Sequence, residues 1–209
     1  MILAHLLPKS SGFYVDVGAF HPVKFSNTYL FYKKGWRGIN IDAAPGVMTE
    51  FNKLRSEDTN IAMGVSDEEG LLTFYLVDRG SSVNTFNYEN LKMLGLSEKI
   101  REKIKVPVKR LENILNESFR GSPEEIDFLS IDVEGYEVNI IKSNNWTKYR
   151  PKVILIESFE TMNHSTNFDR QFIDYLKPYG YTLFSKTPNS IFFLRSDLRL
   201  SPTNSIVSK

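Results

Sequence analysis

Gly12-Phe-Tyr-Val-Asp-Val-Gly-Ala19 is a hydrophobic run that ends in a small-residue turn with an acid inside it. One short helical pattern later, Ile39-Asn-Ile-Asp42 is a second hydrophobic run, and it also ends in an acid. Together they have the layout of a nucleotide-type site at the edge of a parallel sheet. Gly18 lets backbone approach a ligand, and a carboxylate closing the second strand takes both hydroxyls of a ribose.

Apolar runs of four to eight residues recur outward from this pair, separated by helical patterns. Residues 13–17, 38–41, 61–65, 128–133 and 153–156 are Val/Ile-rich and apolar nearly throughout, as suits strands buried on both faces of a parallel sheet. Helices are expected at 26–34, 45–55, about 111–118, and 137–144. Ser26 or Asn27 caps the first of these, and Pro45 fits the first turn of the second. Residues 168–178 read as a further helix. Residues 181–185 and 191–195 read as strands joined by Thr-Pro-Asn, so the sheet closes with an antiparallel hairpin.

One stretch, about 70–108, breaks the alternation and reads as an insertion beside the sheet. It holds a strand at 71–77, a Gly/Ser/Asn-rich loop at 78–87, a Lys/Glu helix at 88–103 and a short strand at 105–108. Such an insertion serves as a lid or substrate wall. The expected organisation is one α/β domain over residues 1–200, followed by a polar, flexible tail at 201–209.

The chain has 209 residues, enough for a substantial core. Twenty-six basic and 25 acidic residues leave a net charge of +1, so no global field draws it to nucleic acid or membrane. Ten Tyr and 15 Phe are mostly needed for the core, and no nucleic-acid stacking platform is read from them. With no cysteine, disulfides and thiolate metal sites are excluded, and a reducing, cytoplasmic location is expected. The opening apolar stretch is stopped by Pro8, too short to span a bilayer, and reads as a capping helix or the trimmed end of a longer chain.

Asp16 and Gly18-Ala19 sit where a cofactor would lie, although Gly and Asp also make ordinary strand-to-helix turns. Phe20, His21 and Pro22 replace the further glycines that a pyrophosphate wants at a helix start. A ligand with a ribose and no phosphate fits better, which favours S-adenosylmethionine over a dinucleotide. Asp42 either takes that ribose or caps the helix near Pro45, and Ala43 and Ala44 leave room for a purine ring. Ser66 and Asp67, after the third strand, lie where an adenine edge would come.

Ser130-Ile-Asp132-Val-Glu134-Gly135-Tyr-Glu137 is the most heavily charged strand end. Two carboxylates two residues apart on an extended strand point to one side, so Asp132 and Glu134 share the mouth with Gly18 and Asp42. Close carboxylates push one pKa up, which suits a general base or substrate clamp. Glu157 closes the fifth run at the same rim, and His164 follows in a loop where a proton could be taken near neutral pH. A divalent metal on Asp132, Glu134 or Glu157 is a lesser expectation, and no metal is favoured. His21 and Asn84-Thr85-Phe86 are the candidate acceptor contacts, an amide, a hydroxyl and an aromatic face being a set that suits a sugar.

Several of these stretches resemble the FkbM-type methyltransferases: Phe13-Tyr-Val-Asp-Val-Gly-Ala with Ser26-Asn-Thr, Gly35-Trp-Arg-Gly-Ile-Asn-Ile-Asp42, Met63-Gly-Val-Ser, and Ile131-Asp-Val-Glu-Gly-Tyr-Glu. The resemblance covers roughly residues 12–195. It implies the Rossmann-like class I fold, a three-layer α/β sandwich with a mostly parallel sheet. It also implies S-adenosylmethionine as methyl donor, with Asp16 and Gly18 against the methionine part, Asp42 on the ribose, Ser66 and Asp67 flanking adenine, and Asp132 near the methyl. The implied reaction is O-methylation of a sugar, glycan or secondary metabolite. An NAD-dependent oxidoreductase, or a non-catalytic binding module on the same scaffold, are the alternatives, and the oligomeric state is left open.

Overall fold

The computed structural model describes residues 2–120, 125–158 and 165–198. A seven-stranded sheet is built from β1 (Phe13–Val17), β2 (Arg37–Asp42), β3 (Thr59–Ala62), β7 (Phe128–Ile131), β8 (Val153–Glu157), β9 (Tyr181–Thr187) and β10 (Ser190–Arg195). Its order is β3-β2-β1-β7-β8-β10-β9. The first five strands run parallel, with Val15 in register between Ile39 and Leu129, and β10 returns antiparallel against both β8 and β9. The chain builds outward from β1 through β2 and β3, then crosses back to lay β7 on the other side of β1. That reversal opens a crevice at the carboxyl ends of β1 and β7, where open sheets of this kind bind ligands.

Period-two alternation gives the central strands β1, β2, β7, β8 and β10 two buried faces. Val15, Ile39, Ile41, Leu129, Ile131, Ile154, Ile156 and Phe193 pack under α5 (Leu111–Ser118), α6 (Glu137–Ser143) and α7 (Ser165–Leu176). Tyr14, Phe128, Val153, Leu155 and Phe192 face the other way, onto α1 (Ile2–Leu6) and α2 (Tyr29–Lys33). The result is the three-layer sandwich that both the apolar runs and the resemblance implied. The opening segment is helical and delivers Leu3, Leu6 and Leu7 to this second core. Neither Ser26 nor Asn27 is the N-cap of α2, which starts only at Tyr29 after Thr28; the Ser26 hydroxyl accepts the N–H groups of Thr28 and Tyr29 from further back in the turn. α3 (Val47–Leu54) packs Met48 and Phe51 against Ala19, starting two residues after Pro45.

Three expected elements differ. Residues 61–65 are not one strand: β3 ends at Ala62, and β4 (Gly64–Val65) joins a second sheet of order β4-β6-β5. Gly64 makes that change of sheet feasible, because a Cβ there would stand 2.5 Å from the Phe86 ring. The expected helix 88–103 is only α4 (Tyr88–Met93), stopped by Gly95 at φ +67, and its last residues belong to β6 (Glu102–Lys109), paired with β5 (Gly70–Leu76). Finally, β7 ends at Ile131, so Asp132 and Glu134 are not on extended strand: Glu134 and Gly135 turn the chain at φ +56 and +89. The tail 201–209 and His164 lie outside the described residues. No helix among those described is long and apolar enough to cross a membrane.

Candidate active site

The crevice at the sheet's carboxyl edge is a cavity of about 420 Å³, a size within the usual range of small-molecule sites. Asp16, Gly18, Ala19, Asp42, Ala43, Asn84, Phe86, Asp132, Glu134 and Glu157 all line it. Among the described residues that line it, five are acids (Asp16, Asp42, Asp132, Glu134 and Glu157) and none is Lys, Arg or His.

The turn after β1 is fully occupied with its own bonds. Gly18 N and Ala19 N both donate to Ile41 O, Phe20 N donates to the Asp42 carboxylate at 2.8 Å, and His21 N donates to Ala19 O. No amide of this turn is left for a phosphate. Gly18 has a different task from the one its sequence suggests. Its φ is +80, and a Cβ would lie 1.7 Å from the Asp132 carbonyl oxygen, so it admits the neighbouring strand end rather than a ligand.

Asp42 is held from behind. Its two oxygens accept from Phe20 N and Ala44 N, at 2.8 and 2.7 Å, leaving lone pairs on each toward the cavity. Burial pushes this carboxyl up to about 6, although those two N–H bonds pull the other way. Ala43, Ala44, Met63, Phe74 and Phe86 supply an apolar wall next to it. Asp16 is almost wholly buried and accepts from the Thr28 hydroxyl at 2.7 Å. Thr28 is in turn bonded by Arg55, which is paired with Asp58 at 2.9 Å and fully buried.

The acids after β7 and β8 form the second half of the site. One carboxylate oxygen each from Asp132, Glu134 and Glu157 lies within 4.8 Å of the others. Burial and the neighbouring charges of Asp132 and Glu137 raise Glu134 to about 7. Burial together with Asp132 drives Glu157 well above the carboxylate range, so Glu157 holds a proton that it shares with Asp132. The turn carrying Glu134 is pinned from both sides. Thr85 Oγ1 and Asn90 Nδ2 donate to Glu134 O at 2.9 and 2.8 Å, and Asn87 Nδ2 donates to Gly135 O. Glu137 accepts the N–H groups of Val133 and Gly135, binding the turn to the start of α6.

The structure does not bring four candidates to the cavity. Ser66 is buried against the Tyr136 hydroxyl, and Asp67 accepts from Asn139, because the chain leaves the main sheet at Gly64 before reaching them. His21 spends Nδ1 on the N–H groups of Val23 and Lys24. Thr85 is a clamp on the acid turn rather than a wall. Asn84 does line the cavity, but its amide is occupied by Val77 N and Asp78 O. Conversely, Phe25, Ser26, Asn27, Tyr136, Asn189 and Ser190 also line the site. Of these, Asn27 carried a signal, since Ser26-Asn-Thr is part of the family-like pattern.

Comparison with known families decides what this cavity belongs to: the methyltransferase FkbM domain matches residues 16–183. The chain belongs to the FkbM methyltransferase family. It has the S-adenosylmethionine-dependent methyltransferase fold, and its cavity fits such a donor, with the Asp42 carboxylate at the end of β2, an apolar wall beside it, no phosphate cradle, and acids as the charged residues among its described lining. No curated protein matches the FkbM-family chain. Among solved structures it is similar to the Methanococcus jannaschii fibrillarin pre-rRNA processing protein, at 14% identity over 90% of this chain and 68% of that one, with a TM-score of 0.46. Aeropyrum pernix fibrillarin with natively bound S-adenosyl-L-methionine matches at 12% identity over 92% and 73%, TM-score 0.46. Precorrin-6y C5,15-methyltransferase from Geobacter metallireducens matches at 12% identity over 92% and 84%, TM-score 0.41.

Proposed function

We propose that this FkbM-family enzyme methylates a hydroxyl of a small polyhydroxylated acceptor, a sugar, glycan or secondary metabolite. One observation carries the reading: Asp42 and the carboxyl groups of Asp132, Glu134 and Glu157 open onto one cavity that no Lys, Arg or His among the described residues lines. When bound, S-adenosylmethionine supplies a methyl group on a sulfonium sulfur. That methyl would go to the acceptor oxygen, the sulfur keeping the electron pair of the C–S bond as an uncharged thioether.

The chain's part is placement and proton removal. Asp42 accepts the ribose hydroxyls and the apolar wall takes the purine, which fixes the donor end. Asp132, Glu134 and Glu157 face the acceptor hydroxyl, and a charged carboxylate among them receives its proton as the C–O bond forms. Glu134, poised near neutrality, suits that task, and a base in this role is worth about 10²–10⁴ in rate. Alignment of oxygen, carbon and sulfur supplies a comparable or larger part, roughly 7–11 kcal/mol at most.

Calorimetry with S-adenosylmethionine tests the donor assignment. The expected result is stoichiometric binding by the wild type and a loss of about 10–100-fold in affinity for Asp42→Asn, as for one hydrogen-bond pair to a charged group. Affinity also falls as pH drops through about 6, because the protonated Asp42 no longer accepts both hydroxyls. An Asp42→Asn variant that binds as tightly as wild type sinks the ribose assignment.

A further inference from the structure

We propose that Asp132, Glu134 and Glu157 form a site for a divalent, oxygen-preferring metal ion at the acceptor end of the cavity. One oxygen from each lies within 4.8 Å of the other two. Two oxygens bound to one ion at about 2.0–2.6 Å lie no more than roughly 4–5 Å apart, so these three can converge on a single ion with small side-chain rotations.

The geometry of proximity is joined by a second observation. Glu134 is only 7% exposed, lines the cavity, and its carboxylate accepts no hydrogen bond from any described residue. Glu157 Oε2 is likewise buried without a hydrogen-bond partner. A carboxylate held out of water with no donor is costly unless something completes it. The other acids nearby are already engaged. Asp16 is bonded by Thr28, Asp42 by two backbone N–H groups, and Glu137 by Val133 N and Gly135 N. Asp132 and one oxygen of Glu157 share a hydrogen bond, so the acceptors left without a donor among the described residues are the Glu134 carboxylate and Glu157 Oε2. The sulfonium centre of a bound donor would offset part of the charge but itself carries no N–H or O–H. Three hard oxygen ligands, with no nitrogen or sulfur, select Mg²⁺, Mn²⁺ or Ca²⁺ over zinc.

The role of the ion rests on the methyl-transfer reading. An ion there binds the acceptor hydroxyl together with a neighbouring oxygen, which narrows the acceptor to a vicinal diol or its equivalent. Coordination eases loss of the hydroxyl proton to a free carboxylate oxygen of the triad. The resulting alkoxide attacks the methyl carbon, the C–O bond forms, the C–S bond breaks, and its electron pair returns to sulfur.

The test uses the full chain, stripped with EDTA and titrated with Mn²⁺ in the absence of donor and acceptor, with free Mn²⁺ read by electron paramagnetic resonance. The expected result is saturation at one ion per chain, weakened at least about 10-fold in Glu134→Gln and in Glu157→Gln. Thermal melting provides the folding control. Glu134→Gln removes a repelling charge and Glu157→Gln replaces a protonated carboxyl with a neutral amide of the same shape, so the metal-free variants melt close to wild type, while Mn²⁺ raises the melting point of wild type more than theirs. No binding at millimolar Mn²⁺, or binding that both substitutions leave unchanged, overturns the metal site. Calorimetry with S-adenosylmethionine in EDTA separates the two readings. Donor binding without Mn²⁺ binding sinks the metal and spares the methyltransferase, and the reverse sinks the donor assignment.

Discussion

At Gly18 a methyl group would stand 1.7 Å from the Asp132 carbonyl, on backbone already at φ +80. The glycine is thus what lets the ends of β1 and β7 close on each other and bring Asp16 and Asp132 to one cavity. Gly18→Ala is expected to cost roughly 2–6 kcal/mol, the sum of about 1–3 for a left-handed residue and about 1–3 for overpacking. Urea denaturation measures this, and a loss under 1 kcal/mol would show that the strand ends yield easily. The residue was legible in the sequence, but its reason was not. A Gly after an acid at a strand end reads equally as ligand clearance or as strand clearance, and only the position of Asp132 decides.

The inserted β5–α4–β6 segment acts on the site mainly through three polar side chains. Thr85, Asn87 and Asn90 donate to carbonyl oxygens of the Glu134–Gly135 turn, holding Glu134 in its left-handed conformation. Thr85→Val removes a buried donor and should cost about 1–3 kcal/mol of stability. Because Thr85 does not line the cavity, its loss should lower kcat while donor affinity stays near wild type. Equal kcat in the two proteins would rule out the clamp. This element also marks where sequence periodicity misled. A Lys/Glu-rich run reads as one long helix over 88–103, yet Gly95 at φ +67 ends it and β-branched residues then pair with β5. The break at Gly64 was missed for a related reason: Ile61 to Val65 looks continuous, and only packing against Phe86 reveals the change of sheet.

Across the whole molecule, strands buried on both faces were the most readable feature, since each is a short apolar run that no surface helix imitates. The acids closing β1, β2 and β8 were readable for the same reason, each ending such a run. Phe25, Asn189 and Ser190 were not, because they reach the cavity from a loop, a hairpin turn and the first residue of β10, whose approach depends on the completed fold. The opposite edge of the sheet carries a different device. Asp127 accepts from Lys152, Lys9 and the Phe13 N–H. Burial works against its charge, but these donors outweigh burial and hold its carboxyl below the usual range. Its stabilising effect is therefore complete above its unfolded pKa, near 4, and drains away as pH falls through the lower folded value. Asp127→Asn should lower the urea midpoint at neutral pH and flatten the acid decline below about pH 4. Parallel pH profiles in the two proteins would remove Asp127 as the cause.

A cavity wall whose charged side chains, among the described residues, are all acids has a consequence for turnover. A sulfonium arrives positive and, having given up its methyl, is left as an uncharged thioether. Surroundings that attract the first have less hold on the second, so the spent molecule is released more readily than the fresh one is lost. Added salt, by screening that attraction, narrows the difference.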